Sequence, residues 1–265
     1  MERHAAFVDI HCHLLPELDD GADNWSEALQ MARIAVDDGI THSILTPHQL
    51  GGYRQNTAAR IRQQASEFRR RLQEAQIELD LAVGGDVRIE PDIAERLDDD
   101  CVLTLADRKQ YVLLELPHEL YFPLEPLLAR LQRQGLTGVL SHPERNQGIV
   151  ANPTVVSGLV DAGCLMQLTA GSVTGAFGPQ AAHLSESMLR DGLIHLVATD
   201  AHGVNARRPK MSRAYDKIVS LIGEESAAQL CCINPRRIFD GEVVQAGRQP
   251  KNRSRRRWFG LARST

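Results

Sequence analysis

Residues 7–22 of the chain read FVDIHCHLLPELDDGA, in which an apolar strand runs directly into polar side chains. His11 and His13 are two positions apart, so a strand directs them to one face while Cys12 points to the other. Asp20 follows a few residues later. Two convergent imidazoles beside a carboxylate suit a divalent transition metal. A lone His-x-His pair is more often a pair of surface histidines, so this interpretation depends on the remaining chain.

The bulk properties are those of a globular protein with ample apolar residues. The chain has 265 residues and a formal net charge of −4, which argues against a general nucleic-acid binder. No apolar run is long enough to span a bilayer, and the first residues lack the apolar core of a signal peptide. Five cysteines without paired spacing argue against a disulfide framework. We therefore expect a cytoplasmic protein.

The last residues differ in composition from the rest. From Arg248 onward the chain carries seven basic residues and no acid. We expect one domain over residues 1–247 and a basic, disordered tail over 248–265 that catalysis does not need. The aromatic pair Trp258 and Phe259 beside these charges offers weak contact with anionic lipid. A solvated tail is the favoured interpretation, and a peripheral position at the inner face of the membrane is the alternative.

Strands alternate with helices about seven times. Strands are predicted at 7–10, 40–46, 79–83, 111–116, 138–141, 165–169 and 194–199, and helices at 25–36, 57–76, 124–134, 152–163, 179–190, 211–222 and 224–231. This alternation predicts a parallel sheet with crossover helices. Polar residues follow nearly every strand, as at the active face of a β/α barrel. A doubly wound sheet would gather its ligands at one switch point, so we predict a distorted seven-stranded (β/α) barrel.

The polar residues at the predicted strand ends are imidazoles and carboxylates, namely His11, His13, His48, Asp86, Glu115, His142, Asp200 and His202. This set suits manganese, iron or zinc in a catalytic site more than a structural zinc site. It holds more ligands than one tetrahedral ion needs, and Glu115 is the most plausible bridging carboxylate. Clustered metals orient an ester and generate hydroxide near neutral pH, so the set predicts hydrolysis, most naturally of phosphate esters.

Five motifs together resemble a known superfamily: DIHCH at 9–13, DDGA at 19–22, TPH at 46–48, SHPERN at 141–146 and TDAH at 199–202. They are similar to the polymerase-and-histidinol-phosphatase (PHP) superfamily. Within it, the chain resembles the bacterial manganese-dependent protein-tyrosine phosphatases of capsular and exopolysaccharide loci. The stretch LTAGSVTGAFG at 168–178 is also similar to that family, and the resemblance runs from about residue 7 to 242.

The resemblance implies a trinuclear metal site in a TIM-like, distorted PHP barrel. The positions that match ligands are His11, His13, Asp20, His48, Asp86, Glu115, His142, Asp200 and His202. Asp86 stands where the family usually has glutamate, and its shorter side chain would reach an ion only through a bridging water or a backbone shift. Arg145 matches an arginine that engages phosphate. Arg207 matches a second one, with Arg208 as the alternative in that register. The implied cofactor is Mn²⁺, three ions, with iron or zinc as alternatives.

The expected activity is metal-dependent hydrolysis of phosphotyrosine on a bacterial tyrosine autokinase that regulates capsule or exopolysaccharide production. A metal-bound hydroxide would attack phosphorus in line while Arg145 and the metals stabilise the equatorial oxygens. One alternative is a small-molecule phosphatase of the histidinol-phosphatase type. A second alternative is a catalytically silent, metal-bound scaffold for the polysaccharide machinery.

Several other residues have simpler interpretations. His195 lies mid-strand and is expected to be a packed core histidine, and Asp19 is expected to cap a turn rather than bind metal. Cys231 and Arg237 have the Cys-x5-Arg spacing of thiol-based tyrosine phosphatases. The residues between them contain no glycine and include Pro235, which removes one backbone N–H from any phosphate-binding loop. We therefore reject the thiol mechanism.

Overall fold

A computed structural model describes residues 6–249. Its strands are β1 Phe7–Cys12, β2 Ile40–Leu45, β3 His48–Gln49, β4 Asp80–Val83, β5 Asp86–Arg88, β6 Tyr111–Glu115, β7 Thr137–Ser141, β8 Leu165–Thr169 and β9 Leu196–Ala198. Its helices are α1 Trp25–Asp37, α2 Ala58–Glu74, α3 Ile93–Asp98, α4 Glu125–Arg133, α5 Gln147–Ala151, α6 Val155–Asp161, α7 Ala170–Val173, α8 Gly178–Arg190, α9 Ser212–Ile222, α10 Glu224–Ala228 and α11 Asn234–Asp240. Short 3-10 turns occupy Leu105–Asp107 and Pro143–Arg145.

Two pairs of strand segments each act as one longer strand. Only Thr46 and Pro47 separate β2 from β3, and only two glycines, Gly84 and Gly85, separate β4 from β5. The parallel pairing continues across both interruptions, because β2 pairs with β4 and β3 pairs with β5. Proline has no backbone N–H to donate to a neighbouring strand, which explains the first interruption. The nine segments among the described residues therefore occupy seven strand positions.

The seven positions form a ring. Regular pairing gives a three-stranded sheet, β1-β2-β4, and a six-stranded sheet, β3-β5-β6-β7-β8-β9. The first and last strands are joined by backbone hydrogen bonds: the Asp200 N–H donates to the His11 carbonyl at 2.8 Å, and the His13 N–H donates to the Ala201 carbonyl at 2.9 Å. The predicted distorted seven-stranded β/α barrel is confirmed, and its apolar side chains form the core under the surrounding helices.

The long helices follow the predicted pattern, whereas three of the short ones were not predicted. The Asn24 side chain accepts a hydrogen bond from the Glu27 N–H at 3.1 Å and caps α1, which begins at Trp25 as predicted. The sequence pattern missed α5, α7 and α11. These helices have five, four and seven residues, which is too short for a 3.6-residue hydrophobic period to stand out.

The segment before the basic tail remains attached to the barrel. The Gly247 carbonyl lies 2.9 Å from His195 Nε2, and the Gln249 N–H donates to the Gly192 carbonyl at 2.7 Å. The expected boundary at residue 247 therefore falls inside a contacting segment. Residues 250–265, which carry most of the basic tail and its aromatic pair, lie outside the described residues, so the tail remains a prediction. Within residues 6–249 none of the helices combines the length and the apolarity needed to cross a bilayer.

Candidate metal centre

The side chains predicted to bind metal lie where consecutive strands end. β1 ends between His11 and His13, and His48 and Asp86 begin the two short segments β3 and β5. Glu115 is the last residue of β6, and His142 follows β7 directly. The remaining predicted ligands, Asp20, Asp200 and His202, lie in the loops after β1 and β9. Because parallel strands bring their carboxyl ends to one face of a barrel, residues far apart in the sequence meet there.

The structure brings all nine predicted ligands together. Within each of four groups, one ligand atom per residue lies within 4.8 Å of the others: His13 with Asp20, His48 and His202; His11 with Asp86 and His142; His11 with His13 and Asp200; and His48 with Asp86 and Glu115. His11, His13, His48 and Asp86 each belong to two groups, which links the four into one cluster. The geometry therefore accommodates several ions, and metal binding by these residues remains a prediction.

Gln167 orients the first histidine. Its amide Nε2 donates to the Leu168 carbonyl at 2.7 Å, which directs Oε1 toward His11 Nδ1 at 2.8 Å. His11 must therefore carry its proton on Nδ1 to donate to this oxygen. The Nε2 atom of His11, which faces the cluster, is left with a lone pair for a metal.

Asp19 orients the second histidine in the same way. Its Oδ2 lies 2.7 Å from His13 Nδ1 and also accepts from the His48 backbone N–H at 2.9 Å, while Oδ1 accepts from the Gly21 N–H at 3.0 Å. The predicted turn-capping role of Asp19 is confirmed. The carboxylate has a second role that the sequence did not reveal, since it leaves the His13 Nε2 atom free toward the cluster.

Several buried atoms at the centre lack a partner within the protein. His202 donates Nδ1–H to the Asp200 carbonyl at 2.9 Å, and its buried Nε2 has no hydrogen-bond partner. The buried Oδ2 atom of Asp86 also makes no well-aligned hydrogen bond, although His48 Nδ1 lies 3.2 Å from it. The Nε2 atoms of His11 and His13 lie only 3.2 Å apart. Imidazole nitrogens and carboxylate oxygens that crowd together in a buried site can be satisfied jointly by a divalent cation. The donor set therefore fits a metal.

The carboxylates create a strong preference for positive charge. Burial opposes protonation of His11, but the charges of Asp200 and Asp86 outweigh it and raise its pKa to about 9. Burial likewise opposes protonation of His48, and its acidic neighbours Asp20 and Asp86 raise its pKa to about 12. Because the carboxylates stabilise bound protons this strongly, the cluster has an excess of negative charge. Metal cations would neutralise that charge.

Two other histidines are held neutral. Burial lowers the pKa of His142 to about 3, and the nearby Arg145 guanidinium contributes to the shift. Burial and the charge of His13 lower the pKa of His202 to about 4. A neutral imidazole is the form that binds a metal, so both residues are already in the required protonation state at neutral pH.

Three residues at the site have left-handed backbone conformations. The φ angles are 34° for His142, 51° for Asp200 and 47° for Arg207. L-residues rarely adopt positive φ values, and such strain concentrates at functional sites because the surrounding fold has to impose it. The loops after β7 and β9 are therefore shaped for side-chain placement at the expense of local stability.

Two arginines approach the cluster from one side. Arg145 donates from Nη1 to Asp200 Oδ2, and Arg207 donates from Nη2 to the same oxygen at 2.6 Å. The Arg145 guanidinium also lies over the Phe177 ring, 4.2 Å from its centroid. Arg208 is exposed, so it is Arg207 that reaches the site. Both guanidinium groups are placed to contact an anion bound at the cluster.

A comparison with protein families finds one whose sequence profile matches residues 7–240, described as capsular polysaccharide synthesis, CpsB/CapC. The chain belongs to the CpsB/CapC family. The predicted resemblance to the phosphatases of capsular loci is thereby confirmed. The match covers the whole barrel, including every residue of the candidate metal centre.

Relatives of this CpsB/CapC chain carry phosphatase names. Tyrosine-protein phosphatase YwqE of Bacillus subtilis is 40% identical over 202 residues, which cover 76% of this chain and 79% of YwqE. Putative tyrosine-protein phosphatase CapC of Staphylococcus aureus is 29% identical, over 96% of this chain and 99% of CapC. Tyrosine-protein phosphatase CpsB of Streptococcus pneumoniae is 28% identical, over 89% of this chain and 100% of CpsB.

Solved structures agree with this assignment. A structure from a study of YwqE and of S. pneumoniae CpsB, described as metal-dependent tyrosine phosphatases, matches with a TM-score of 0.87 and 36% identity. It covers 92% of this chain and 98% of the matched chain. The phosphotriesterase homology protein of Escherichia coli matches with a TM-score of 0.58 at 12% identity, over 90% of this chain and 100% of that chain, which shows a shared fold alone.

Sequence reasoning missed three residues that support the site of this CpsB/CapC chain. Gln167 lies within the apolar strand β8, where a buried amide could have indicated a hydrogen-bond partner. Asp9 is buried and accepts from the Thr199 N–H at 2.9 Å, which ties β1 to the loop that carries Asp200. Burial raises the pKa of Asp9 to about 6. No signal in the sequence identified Phe177 as the aromatic partner of Arg145.

The interpretations of His195 and Cys231 also agree with the structure. His195 is fully buried, and its Nδ1 accepts from the Met166 N–H at 3.1 Å, which confirms the core assignment. Cys231 is fully buried in a helical segment that continues into α11, and burial raises its pKa well above its usual range. A buried thiol held protonated in a helix has neither the reactivity nor the loop of a phosphate-binding nucleophile.

Proposed function

We propose that this chain is a metal-dependent protein-tyrosine phosphatase that hydrolyses phosphotyrosine on a bacterial tyrosine autokinase controlling capsule or exopolysaccharide production. The observation that carries the proposal is the cluster of nine imidazoles and carboxylates with two arginines on one side. The phosphatase names of the relatives support it. The cytoplasmic location that we propose is supported by five cysteines without a disulfide.

We further propose that the cluster holds Mn²⁺, with three ions shared among the nine side chains. Oxygen and imidazole donors without thiolates suit manganese, and Asp86, which belongs to two groups and has two carboxylate oxygens, would be able to serve two ions. When bound, such ions polarise phosphate oxygens and lower the pKa of water. Asp86 Oδ2 faces the cluster, 3.2 Å from His48 Nδ1, so the aspartate reaches a position where the family usually has glutamate.

The arginines bind and orient the phosphate in this proposal. Arg145 and Arg207 each present a planar guanidinium that can pair with two oxygens of a phosphate. In the structure both pair with Asp200 Oδ2, so that carboxylate holds them in place before substrate binds. The Phe177 ring beneath Arg145 further restricts its guanidinium plane. Preorganised donors of this kind stabilise charge that develops in the transition state.

The test compares substrates and metals on one protein preparation. Purified protein is stripped with excess EDTA, dialysed, and then assayed with a phosphotyrosyl peptide and with histidinol phosphate, before and after addition of Mn²⁺. We expect no turnover after chelation, recovery with Mn²⁺ and a clear preference for the phosphopeptide. Full activity in EDTA would refute the metal requirement. A preference for histidinol phosphate would indicate the small-molecule phosphatase, and metal binding without turnover of either substrate would indicate a silent scaffold.

A further inference from the structure

An open cleft borders the metal centre on the side of Arg145. It lies between α5 and α8 and has a volume of about 560 Å³, which is within the range of ligand-binding sites. Arg145 and Phe177 line both the cleft and the edge of the metal centre. A substrate whose phosphate group is bound by Arg145 would therefore have its remaining part next to this cavity. We call it the α5–α8 cleft.

Asn146 fixes the α5 wall of the α5–α8 cleft from behind. Its Oδ1 caps α5 by accepting from the Ile149 N–H at 2.9 Å. Its Nδ2 donates to the carbonyls of Pro117 and Leu120, at 2.7 and 3.0 Å. Gly148 lets α5 approach the same segment, because a Cβ there would lie 2.6 Å from the Tyr121 backbone nitrogen. These contacts fix α5 against the 117–121 segment, so the wall is preformed.

The opposite wall depends on the loop that joins β8 to α8. A Cβ on Gly171 would lie 2.8 Å from the Phe177 ring, so the aromatic side chain needs glycine at this position. The fully buried Glu144 accepts from the Thr169 N–H at 3.0 Å and holds the start of the same loop. Metal binding alone does not explain the motifs SHPERN and LTAGSVTGAFG. Glu144 and Asn146 of the first motif and Gly171 and Phe177 of the second all help to shape the α5–α8 cleft.

The lining indicates what would occupy the cleft. Its charged side chains are the fully buried Glu144 and the half-buried Arg145. The exposed His118, Gln147 and Gln180 contribute an imidazole and two neutral amides, and Val150 contributes apolar surface. A glutamine amide has both a donor and an acceptor, which matches the alternating groups of an extended peptide backbone. The cleft also opens to solvent, so a chain can leave it.

We propose that the α5–α8 cleft binds the polypeptide that flanks the phosphotyrosine of a protein substrate. This inference rests on the proposed phosphatase function and adds the subsite that separates a peptide from a small phosphate ester. Contacts remote from the reacting phosphorus would contribute to kcat/KM for peptides alone. Phosphotyrosine with uncharged neighbouring residues is the substrate class that this lining fits.

The experiment uses two tryptophan variants on one helix. Gln180→Trp places a large ring at the cleft, whereas Ser187→Trp makes a comparable change at an exposed position of α8 outside the lining. Both full-length proteins are loaded with Mn²⁺ and assayed with phenyl phosphate and with a phosphotyrosyl peptide of uncharged sequence. We expect Gln180→Trp to lower kcat/KM for the peptide about tenfold more than for phenyl phosphate, and Ser187→Trp to affect the two substrates equally.

The outcomes distinguish failure of the cleft assignment from failure of the proposed phosphatase function. Equal effects of Gln180→Trp on the two substrates, or peptide kinetics identical to those of Ser187→Trp, would overturn the cleft assignment while the phosphatase proposal stands. Failure of the wild-type protein to hydrolyse the phosphotyrosyl peptide would overturn the phosphatase proposal itself. Melting temperatures of both variants serve as the control for folding.

Discussion

Replacing Asp19 with asparagine is expected to weaken metal binding without removing a ligand. The Asp19 carboxylate accepts three hydrogen bonds, from His13 Nδ1, from the His48 N–H and from the Gly21 N–H. All three partners are donors in this arrangement. An amide has one oxygen and one NH₂ group, so either orientation of asparagine sets a donor against at least one of these donors.

The size of the effect follows from these contacts. A buried donor left without an acceptor costs about 1–3 kcal/mol, and loss of a residue that orients a metal-binding histidine typically lowers metal affinity by about 10- to 100-fold. We expect the Asp19→Asn protein to fall in this range for Mn²⁺. In the orientation that turns the amide NH₂ toward His13, the imidazole would also lose the acceptor that keeps its proton on Nδ1, and that fraction of the protein would present a protonated Nε2 to the cluster.

Calorimetric titration of the metal-stripped protein with Mn²⁺ measures the affinity directly. Asp23→Asn provides the matched control, since it makes the same chemical change four residues later at an exposed position. We expect the control to bind Mn²⁺ as the wild-type protein does. Equal affinities for Asp19→Asn and Asp23→Asn would show that the carboxylate does not orient His13 for metal binding.

Three further predictions concern other parts of the chain. Arg145→Lys should lower kcat on a phosphotyrosyl peptide by about 100-fold with metal content unchanged, and Arg208→Lys should not; equal rates would remove Arg145 from phosphate binding. Cys231→Ala should keep the wild-type kcat and lose about 1 kcal/mol of unfolding free energy, whereas a large loss of kcat in the folded variant would revive the thiol mechanism. The pKa of His195, lowered to about 4 by burial, predicts that stability present above pH 6.5 is lost as the pH falls toward 4. Denaturant titrations should show the wild-type protein losing up to about 3 kcal/mol more than His195→Gln over this range, and parallel curves would contradict the assignment.

Most of the candidate ligand positions could be predicted because they lie at or just after the end of a short apolar strand, whereas Asp20 was identified through the family resemblance. His142, for example, comes directly after β7, and the parallel alternation of strands and helices indicates that such residues share one face. The orienting residues carry no comparable pattern. Gln167 is a single polar residue within the buried strand β8, and only its hydrogen bonds reveal that it faces His11 rather than the surrounding helices.

The interrupted strands were also beyond sequence reasoning. The residues Thr46-Pro47 suggested a strand end, and the structure shows that pairing resumes one residue later at His48. Periodicity cannot distinguish a strand that stops from one that breaks and continues, because the continuation β3 has only two residues. The two arginines were identified through the family resemblance, whereas their shared contact with Asp200 required coordinates.

The ring of strands is joined between His11 at the start of the chain and Asp200 near its end. Contacts between such distant segments form late in folding, since a long loop must close before they gain any energy. If His11 and Asp200 bind metal ions as proposed, those ions bind only when the ring of strands is complete. Binding at a free concentration one hundred times Kd would add about 2.7 kcal/mol to the stability of the closed state. Manganese supply would then govern how much of this protein survives proteolysis in the cell, in addition to how fast each molecule works.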